Sequence, residues 1–313
     1  MRWGWLGVLG ILVAGILPAG GARAACTLGL SVQGVTPVYD FFSGSATAQA
    51  YEIGVTHNAG DSCDFFVTFS RGGASTYDRQ MVLGGDSLSY QLYSQANQTG
   101  VLKDLLDAGS GLEVLSGALS SQDISPRTLT FYLVIPANQV VPPGTYQDTV
   151  TVSVYEGTLG GSPVLADTDG LVVSSTIARD IQLSLRDTAA PFDPEDNSQS
   201  MDFGILEQGE SRGFDLMVRT NAGYSVSMVS ENQGRLKHMD VPAAANTTVD
   251  YTLKINNVAK DLSGTQPIEV TSGTGVTSLE GVRHPTTVTI GTVSGKVAGI
   301  YQDTVTITAA TVE

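Results

Sequence analysis

The sequence predicts an all-β chain built from two tandem sandwich units. The six residues Tyr-Gln-Asp-Thr-Val-Thr occur twice, at 146–151 and at 301–306, and their apolar and polar side chains alternate as in a half-buried strand. The chain contains 36 Gly and only 16 Lys plus Arg, and its apolar stretches are short and end at turn residues. With 313 residues and 42% hydrophobic content, it is long enough for two domains with a core each.

Residues 1–24 predict a secretory signal. Arg2 precedes an apolar stretch over 6–17, and Ala22-Arg23-Ala24 is a small-residue cleavage site. The mature chain is therefore expected to begin at Ala25 and to be exported. A lipid anchor on Cys26 is the alternative, although Arg23 stands where an apolar residue is expected for such an anchor.

The charge of the chain argues against nucleic acid as a partner. The formal net charge is -15, and the loss of Arg2 and Arg23 with the signal changes it to -17. A surface of this sign repels phosphate backbones.

The first unit is expected to span 25–177. Cys26 and Cys63 are the two cysteines of an exported chain, so we expect one disulfide, which closes a loop of 37 residues and stabilises the fold by about 3 to 4 kcal/mol. The strand candidates are separated by turn-rich stretches, a spacing typical of a sandwich. They lie at 27–32, 50–55, 63–69, 88–93, 128–135 and 146–155, and 171–174 offers a further strand to close the sheet.

The second unit is expected to span 178–313 and to stop at its copy of the repeat. It opens with an alternating run that contains Ile181, Leu183 and Leu185. After the repeat only a short tail over 308–313 is expected, with no counterpart of the further strand of the first unit.

Several motifs of the first unit resemble the spore coat protein U domain family. They are Ile135-Pro136-Ala137-Asn138-Gln139, the segment from Pro143 to Val150, Asp78-Arg79-Gln80-Met81 and Leu88-Ser89-Tyr90-Gln91-Leu92-Tyr93, which fall with Cys26 and Cys63 in the order that this family shows. In the second unit, three motifs look like a pilin domain of the same group without the disulfide: Asp202-Phe203-Gly204, Asn221-Ala222-Gly223-Tyr224 and Gly299-Ile300-Tyr301-Gln302-Asp303.

Domains of that family build archaic, Csu-type chaperone-usher pili. The resemblance therefore implies two tandem immunoglobulin-like β-sandwiches, the second lacking its final strand, and a neighbouring subunit whose strand fills the gap. Because cleavage after Ala24 leaves one residue before Cys26, the chain is expected to accept a strand and to donate none. This layout resembles a two-domain tip adhesin, which mediates surface attachment and biofilm formation.

The resemblance also implies partners and a location. We expect a periplasmic pilus chaperone, an outer-membrane usher, an adjacent pilin subunit that donates a strand, and an abiotic or host surface as the target. The protein is then expected to pass through the periplasm to the cell surface, at the pilus tip. The alternatives are a structural coat or shell protein of the cell or spore surface and, third, a secreted hydrolase.

The acceptor groove is expected between the first and last strands of the second unit. By alternation, its floor includes Ile181, Leu183, Leu185, Tyr301, Val305 and Ile307. The alternative is that these residues belong to ordinary core strands of a complete sandwich.

Apolar loop residues of the first unit are the candidates for adhesion, since the resemblance implies binding through loops at its far end. An exposed apolar patch marks an interaction surface. The alternative is that the run around Leu105 and Leu106, which has helix-like spacing, packs on the sandwich and that Phe41 and Phe42 are core. The candidates are Val38, Tyr39, Phe41, Phe42, Leu105, Leu106, Val140 and Val141.

The sequence predicts no catalytic, metal or cofactor site. The three histidines are scattered without ligand spacing, and the carboxylates of Asp193, Glu195 and Asp196 are interpreted as a solvated turn rather than a calcium site. Nucleophile-elbow, phosphate-loop and His-Glu-x-x-His motifs are absent from the sequence. We therefore expect a protein that is not an enzyme and needs no cofactor.

Overall fold

A computed structural model describes residues 26–313, and almost all of their regular structure is β-strand, which confirms the predicted all-β class. The predicted signal lies outside the described residues. The first unit contains β1 (Thr27–Ser31), β2 (Thr47–Ala59), β3 (Cys63–Phe69), β4 (Gln80–Leu83), β5 (Asp86–Ser89), β6 (Gln91–Tyr93), a 3₁₀ helix (Gly111–Glu113), β7 (Leu115–Leu119), β8 (Arg127–Ile135), β9 (Gly144–Glu156) and β10 (Val164–Ile177).

The strands of the first unit form two antiparallel sheets. One has the order β1-β2-β8-β6, and the other has the order β5-β4-β9-β3-β7 with β10 beside β9. Between them lies a core that includes Phe65, Phe69, Phe131 and Leu133, each at most 1% exposed. The disulfide between Cys26 and Cys63 ties the start of β1 to the start of β3, as predicted.

The first copy of the repeat lies in β9 and shows the predicted alternation. Tyr146 and Val150 point inward and are fully buried, whereas Gln147 and Thr149 are exposed. β10 pairs with β9 along its length and covers it, so the further strand expected at 171–174 is present and longer than predicted.

The second unit also consists of two packed sheets. The larger has the order β11-β12-β18-β15-β14-β19 with β16 beside β15, and the smaller has the order β17-β13-β20. Its core includes Leu216, Val218, Val226 and Met228, each at most 1% exposed. The strands are β11 (Ile181–Asp187), β12 (Ser211–Thr220), β13 (Gly223–Ser230), β14 (Arg235–His238), β15 (Thr248–Ile255), β16 (Val258–Lys260), β17 (Ile268–Gly273), β18 (Val282–Ile290), β19 (Tyr301–Gln302) and β20 (Val305–Val312).

Residues 178–180 connect the two units and are held by the turn after β12. The side chain of Asn221 donates to the carbonyl of Ala178 at 2.8 Å and accepts from the N–H of Asp180 at 2.9 Å. Arg219 adds a contact between the units, because its guanidinium lies 4.6 Å from the ring centroid of Phe42 in the first unit.

The run over 101–108 forms no helix, despite its helix-like spacing. Leu102 is fully buried, and its N–H donates to the carbonyl of Leu92 at 2.9 Å, so tertiary contacts hold the segment against β6. Within 26–313, no helix has the length and apolar character needed to span a bilayer.

Candidate functional site at the uncovered edge of the second unit

β11 and β20 are the edge strands of the two sheets of the second unit. β11 pairs with β12, and β20 pairs with β13 along its whole length. Cα atoms of β11 and β20 approach within 8 Å. In the described part of the chain, no strand pairs with the second edge of β20. Such an edge presents a row of N–H and C=O groups that can pair with another strand.

The two copies of the repeat differ in burial. Val150 in β9 is fully buried, whereas its counterpart in β20, Val305, is half-buried. Ile307 and Ala309 continue the inward face of β20 and are also half-buried, whereas Val152 on β9 is fully buried. The difference follows from the neighbours, because β9 has strands on both sides and β20 has one neighbour within 26–313. The core of the second unit is thus uncovered along β20.

The structure brings four of the six predicted groove residues to this uncovered side. Ile181 and Leu183 on β11, and Val305 and Ile307 on β20, are half-buried and pack against the core of the second unit. Leu185 is 6% exposed, and its N–H already donates to the carbonyl of Asp196 at 2.8 Å, so it belongs to the closed part of the core.

Tyr301 does not join the other groove residues. The last strand is interrupted at Asp303, and Tyr301 lies in the separate strand β19, beside β14. Its ring packs edge-on against His238 with centroids 5.1 Å apart, and its hydroxyl donates to the carbonyl of Val297 at 2.6 Å. The expected continuous strand over the second repeat, with Tyr301 in the groove floor, is therefore wrong at this position.

The aspartate of the repeat has the same role in both units. Asp303 accepts hydrogen bonds from the hydroxyls of Tyr251 and Ser230, both at 2.6 Å. Asp148 accepts one from the hydroxyl of Tyr90 at 2.7 Å. The pKa of each tyrosine is raised, first because burial disfavours the phenolate and second because the bonded carboxylate opposes its negative charge.

Sequence reasoning missed the last part of the inward face of β20. The strand continues to Val312, where a tail over 308–313 was expected, and this correction adds the half-buried side chains of Ala309 and Thr311 to the uncovered side. The sequence carries little sign of this extension, because the alternation of apolar and polar side chains ends at Thr308: the inward Thr311 is polar and the exposed Val312 is apolar.

The acidic loop after β11 forms ion pairs within the second unit. Nη1 of Arg186 lies 3.2 Å from a carboxylate oxygen of Asp193 and 2.8 Å from one of Asp196. Over the residues that the structure describes, no group of three Asp, Glu, His or Cys side chains could hold a metal ion.

Burial contradicts most of the adhesive residues predicted in the segment around Val38. Tyr39 and Phe41 are 6% and 4% exposed and belong to the core, so no surface can reach them. Phe42 packs on Arg219 at the junction of the units. The segment is drawn inward because it runs beside β10 towards the second unit. Val38 alone of these residues is mostly exposed.

Of the predicted adhesive residues in the two other stretches, only Leu106 is mostly exposed. Leu106 is 95% exposed, and Leu105 is half-buried. Val141 is 8% exposed and Val140 packs against the core, which contradicts the expectation of an exposed loop tip. Both valines precede the start of β9, opposite the end of β10, and so lie at the end of the first unit nearer the second unit.

The far end of the first unit carries exposed apolar residues that the sequence-based prediction missed. The β2–β3, β7–β8 and β9–β10 loops lie at this end, away from Ile177. Ile124 in the β7–β8 loop is 99% exposed, and Val164 and Leu165 at the start of β10 are 61% and 54% exposed. A single apolar residue in a polar loop, such as Ile124, has no periodicity that could single it out in the sequence.

Comparison with protein families gives a match over most of the first unit. The sequence model of the Spore Coat Protein U domain matches residues 21–153. Comparison with curated proteins finds no match.

Solved structures of pilus proteins resemble the chain distantly. One is the chaperone-tip adhesion subunit complex CsuC-CsuE of the archaic Csu pili of Acinetobacter baumannii, at 16% identity and a TM-score of 0.44, covering 90% of this chain and 99% of that chain. Another is the CupB6 tip adhesin from Pseudomonas aeruginosa, at 10% identity and a TM-score of 0.39, covering 91% and 94%. A third is CfaE, the adhesive subunit of CFA/I fimbria of enterotoxigenic Escherichia coli, at 16% identity and a TM-score of 0.37, covering 90% and 92%. These similarities are too distant to carry an argument about function.

Proposed function

Because the Spore Coat Protein U model matches residues 21–153, we propose that the chain is the tip adhesin subunit of an archaic, Csu-type chaperone-usher pilus. Its second unit accepts a strand from the neighbouring subunit. The observation that carries this proposal is the difference in burial between the two copies of the repeat: Val150 is fully buried, whereas Val305 is half-buried.

Strand addition at β20 has two physical sources of affinity. The free edge of this eight-residue strand supplies backbone N–H and C=O groups to an incoming strand. The half-buried side chains of Ile181, Leu183, Val305 and Ile307 gain further burial, worth roughly 1 kcal/mol for each completed side chain. The incoming strand is therefore an extended segment with alternating apolar residues.

An uncovered core also explains the partners that we propose. An open edge of this length promotes aggregation unless another chain covers it. A periplasmic chaperone supplies the missing strand before assembly, an outer-membrane usher receives the complex, and an adjacent pilin replaces the chaperone. The chain is exported, and it ends at the cell surface, at the tip of the pilus.

Adhesion belongs to the first unit in this proposal. Its far end, with Ile124, Val164 and Leu165, is directed away from the second unit and presents apolar side chains to an abiotic or host surface. Val38 and Leu106 are the exposed residues among the predicted adhesive positions. Attachment through these residues supports biofilm formation.

The proposal is tested by producing the mature chain in a periplasm with and without a co-encoded chaperone. We expect recovery of the chain as a chaperone complex. A synthetic peptide from the N-terminal extension of a co-encoded pilin then displaces the chaperone and gives a 1:1 complex with a higher melting temperature.

The same experiment addresses a structural coat protein, which the domain's description favours. A coat protein with two complete sandwiches is recovered as a stable monomer without a chaperone and ignores the peptide. That outcome would contradict the tip adhesin and support the coat protein.

A further inference from the structure

An apolar surface lies at the end of the second unit that faces away from the first. Met239 and Ile300 are 60% and 67% exposed, and Val297 is 38% exposed. The loop over 241–245, Val-Pro-Ala-Ala-Ala, contains no polar side chain, and its last four residues are exposed. We call Met239, 241–245, Val297 and Ile300 the base patch.

Backbone contacts hold the base patch together. The N–H of Met239 donates to the carbonyl of Ile300 at 2.9 Å, and the N–H of Val297 donates to the carbonyl of Asn246 at 2.9 Å. His238 is buried behind these segments, with Nε2 3.2 Å from the carbonyl oxygen of Ala298. The patch is therefore a preformed surface, which lowers the ordering cost of binding.

The two ends of β20 differ in what lies beside them. The C-terminal end lies next to the first unit, because Glu313 pairs at 3.5 Å with Arg179, in the connection between the units. The N-terminal end follows β19 and lies next to the base patch, because His238 and Tyr301 pair in register. The base patch and the uncovered edge of β20 are thus continuous along the last segment of the chain.

We propose that the base patch docks the folded body of the neighbour whose strand fills the edge of β20. This inference rests on the proposed function. A donated strand leads to its own folded body at one end of β20, and the first unit already occupies the C-terminal end. The body is left with the N-terminal end, where the base patch lies. Its matching surface is mainly apolar, as in the buried centre of interfaces, and carries polar groups opposite Asp240, which is exposed, and Lys296, whose Nζ donates to the carbonyl of Ala245 at 2.8 Å.

The test compares an intact donor with its strand alone. The probes are a pilin subunit encoded beside this gene and a synthetic peptide of its N-terminal extension. The variant is Met239→Ser with Ile300→Ser, and the control is Ile124→Ser, which changes a 99% exposed isoleucine at the opposite end of the molecule. We expect the intact pilin to dissociate about tenfold faster from the double variant, and the peptide to dissociate at the wild-type rate.

Each other outcome has a definite meaning. Unchanged dissociation of the intact pilin overturns the docking role of the base patch. An equal loss of affinity for pilin and peptide means that the double substitution disturbs β20. The milder variant Ile300→Ala is then measured, and it must weaken binding of the pilin but not of the peptide. If the peptide binds neither the wild type nor any variant, the proposed function fails instead.

Discussion

Asp148 and Asp303 occupy the same position in the repeat, and each accepts a hydrogen bond from a tyrosine hydroxyl, that of the buried Tyr90 and that of the half-buried Tyr251. A buried hydroxyl without a hydrogen-bond partner costs about 1 to 3 kcal/mol. Because each tyrosine lies far from its aspartate in the sequence, the hydrogen bond stabilises the packing between distant segments of the chain. This role explains why a charged residue follows the apolar start of each repeat.

Replacement of Asp148 by Ala tests this role in the first unit. The substitution leaves the hydroxyl of Tyr90 and the N–H of Gly73 without their acceptor, and we expect the free energy of unfolding to fall by about 2 to 3 kcal/mol. Urea unfolding measures the change. The neighbouring variant Gln147→Ala, at an exposed position, is the control and should stay within about 0.5 kcal/mol of wild type. Equal effects of the two variants would contradict the account.

His284 is a buried histidine of the second unit. Its ring is 5% exposed, and Nε2 lies 2.8 Å from the hydroxyl oxygen of Tyr224. Nδ1 lies 3.0 Å from the amide nitrogen of Asn256, which donates to it, so the neutral ring donates from Nε2. Burial lowers the pKa of His284 because the charged imidazolium loses its hydration.

The lowered pKa of His284 predicts a pH dependence with a definite sign. The unfolded chain takes up the proton near the ordinary pKa of about 6.5, and the folded protein does so only at lower pH. The contribution of the neutral His284 to the free energy of unfolding is therefore fully present above about pH 6.5, and it is lost as the pH falls towards the lowered pKa of the folded state. We expect the melting temperature of the second unit to fall between pH 7 and pH 5.5, and His284→Gln to remove most of this slope. A wild-type slope that persists in the variant would assign the effect to other groups.

At the scale of elements, the inward and outward faces of β20 are expected to differ in function. Ile307 is half-buried and faces the core, and the adjacent Thr308 is exposed. We predict that Ile307→Asp weakens binding of a donor peptide by at least about tenfold, since a carboxylate would enter the apolar floor. Thr308→Asp should bind within about threefold of wild type. Isothermal titration measures both, and similar losses for the two variants would refute the assignment of the faces.

The alternation of side chains predicts β9, β11 and the inward residues Val305 and Ile307 of β20, because period-two burial is a local property of the chain. The interruption at Asp303 could not be predicted, since it depends on contacts with Ser230 and Tyr251 from distant strands. For the same reason, the sequence leaves Phe41 open between an adhesive loop residue and a core residue, and the structure places it in the core. Its burial follows from a segment that pairs beside β10, and no periodicity marks that segment.

The uncovered edge could be predicted from the sequence only in part. The sequence predicts that the second repeat has no covering strand, and the half-burial of Val305 agrees with this expectation for the described residues. The sequence cannot predict that Tyr301 leaves the groove, because its position is set by the ring of His238.

On the scale of the whole molecule, one arginine joins the two units. The guanidinium of Arg219 lies between Phe42 of the first unit and Phe192 of the second, 4.6 and 4.7 Å from the ring centroids. Its Nη2 donates to Oε1 of Gln182 on β11 at 2.5 Å. Burial lowers the pKa of Arg219. The stack contributes a side-chain contact between the first and the second unit.

Loss of this stack should loosen the junction without unfolding either unit. We predict that Arg219→Gln broadens the distribution of distances between fluorescent labels placed in the two units, as measured by single-molecule energy transfer. Arg212→Gln is the matched control, because Arg212 is half-exposed and its guanidinium contacts Phe203 within the second unit, at 5.5 Å. A distribution unchanged by Arg219→Gln would show that residues 178–180 and Asn221 hold the units by themselves.

Hydrogen exchange along β20 tests the central claim, that the second unit takes up a strand at its open edge. In the isolated mature chain, we expect the amides of 305–312 to exchange faster than those of 148–156, the matching part of β9. Addition of a donor peptide should slow exchange over 305–312 and leave 148–156 unchanged. If 305–312 is already as protected as 148–156 without the peptide, the edge is closed and the account is wrong.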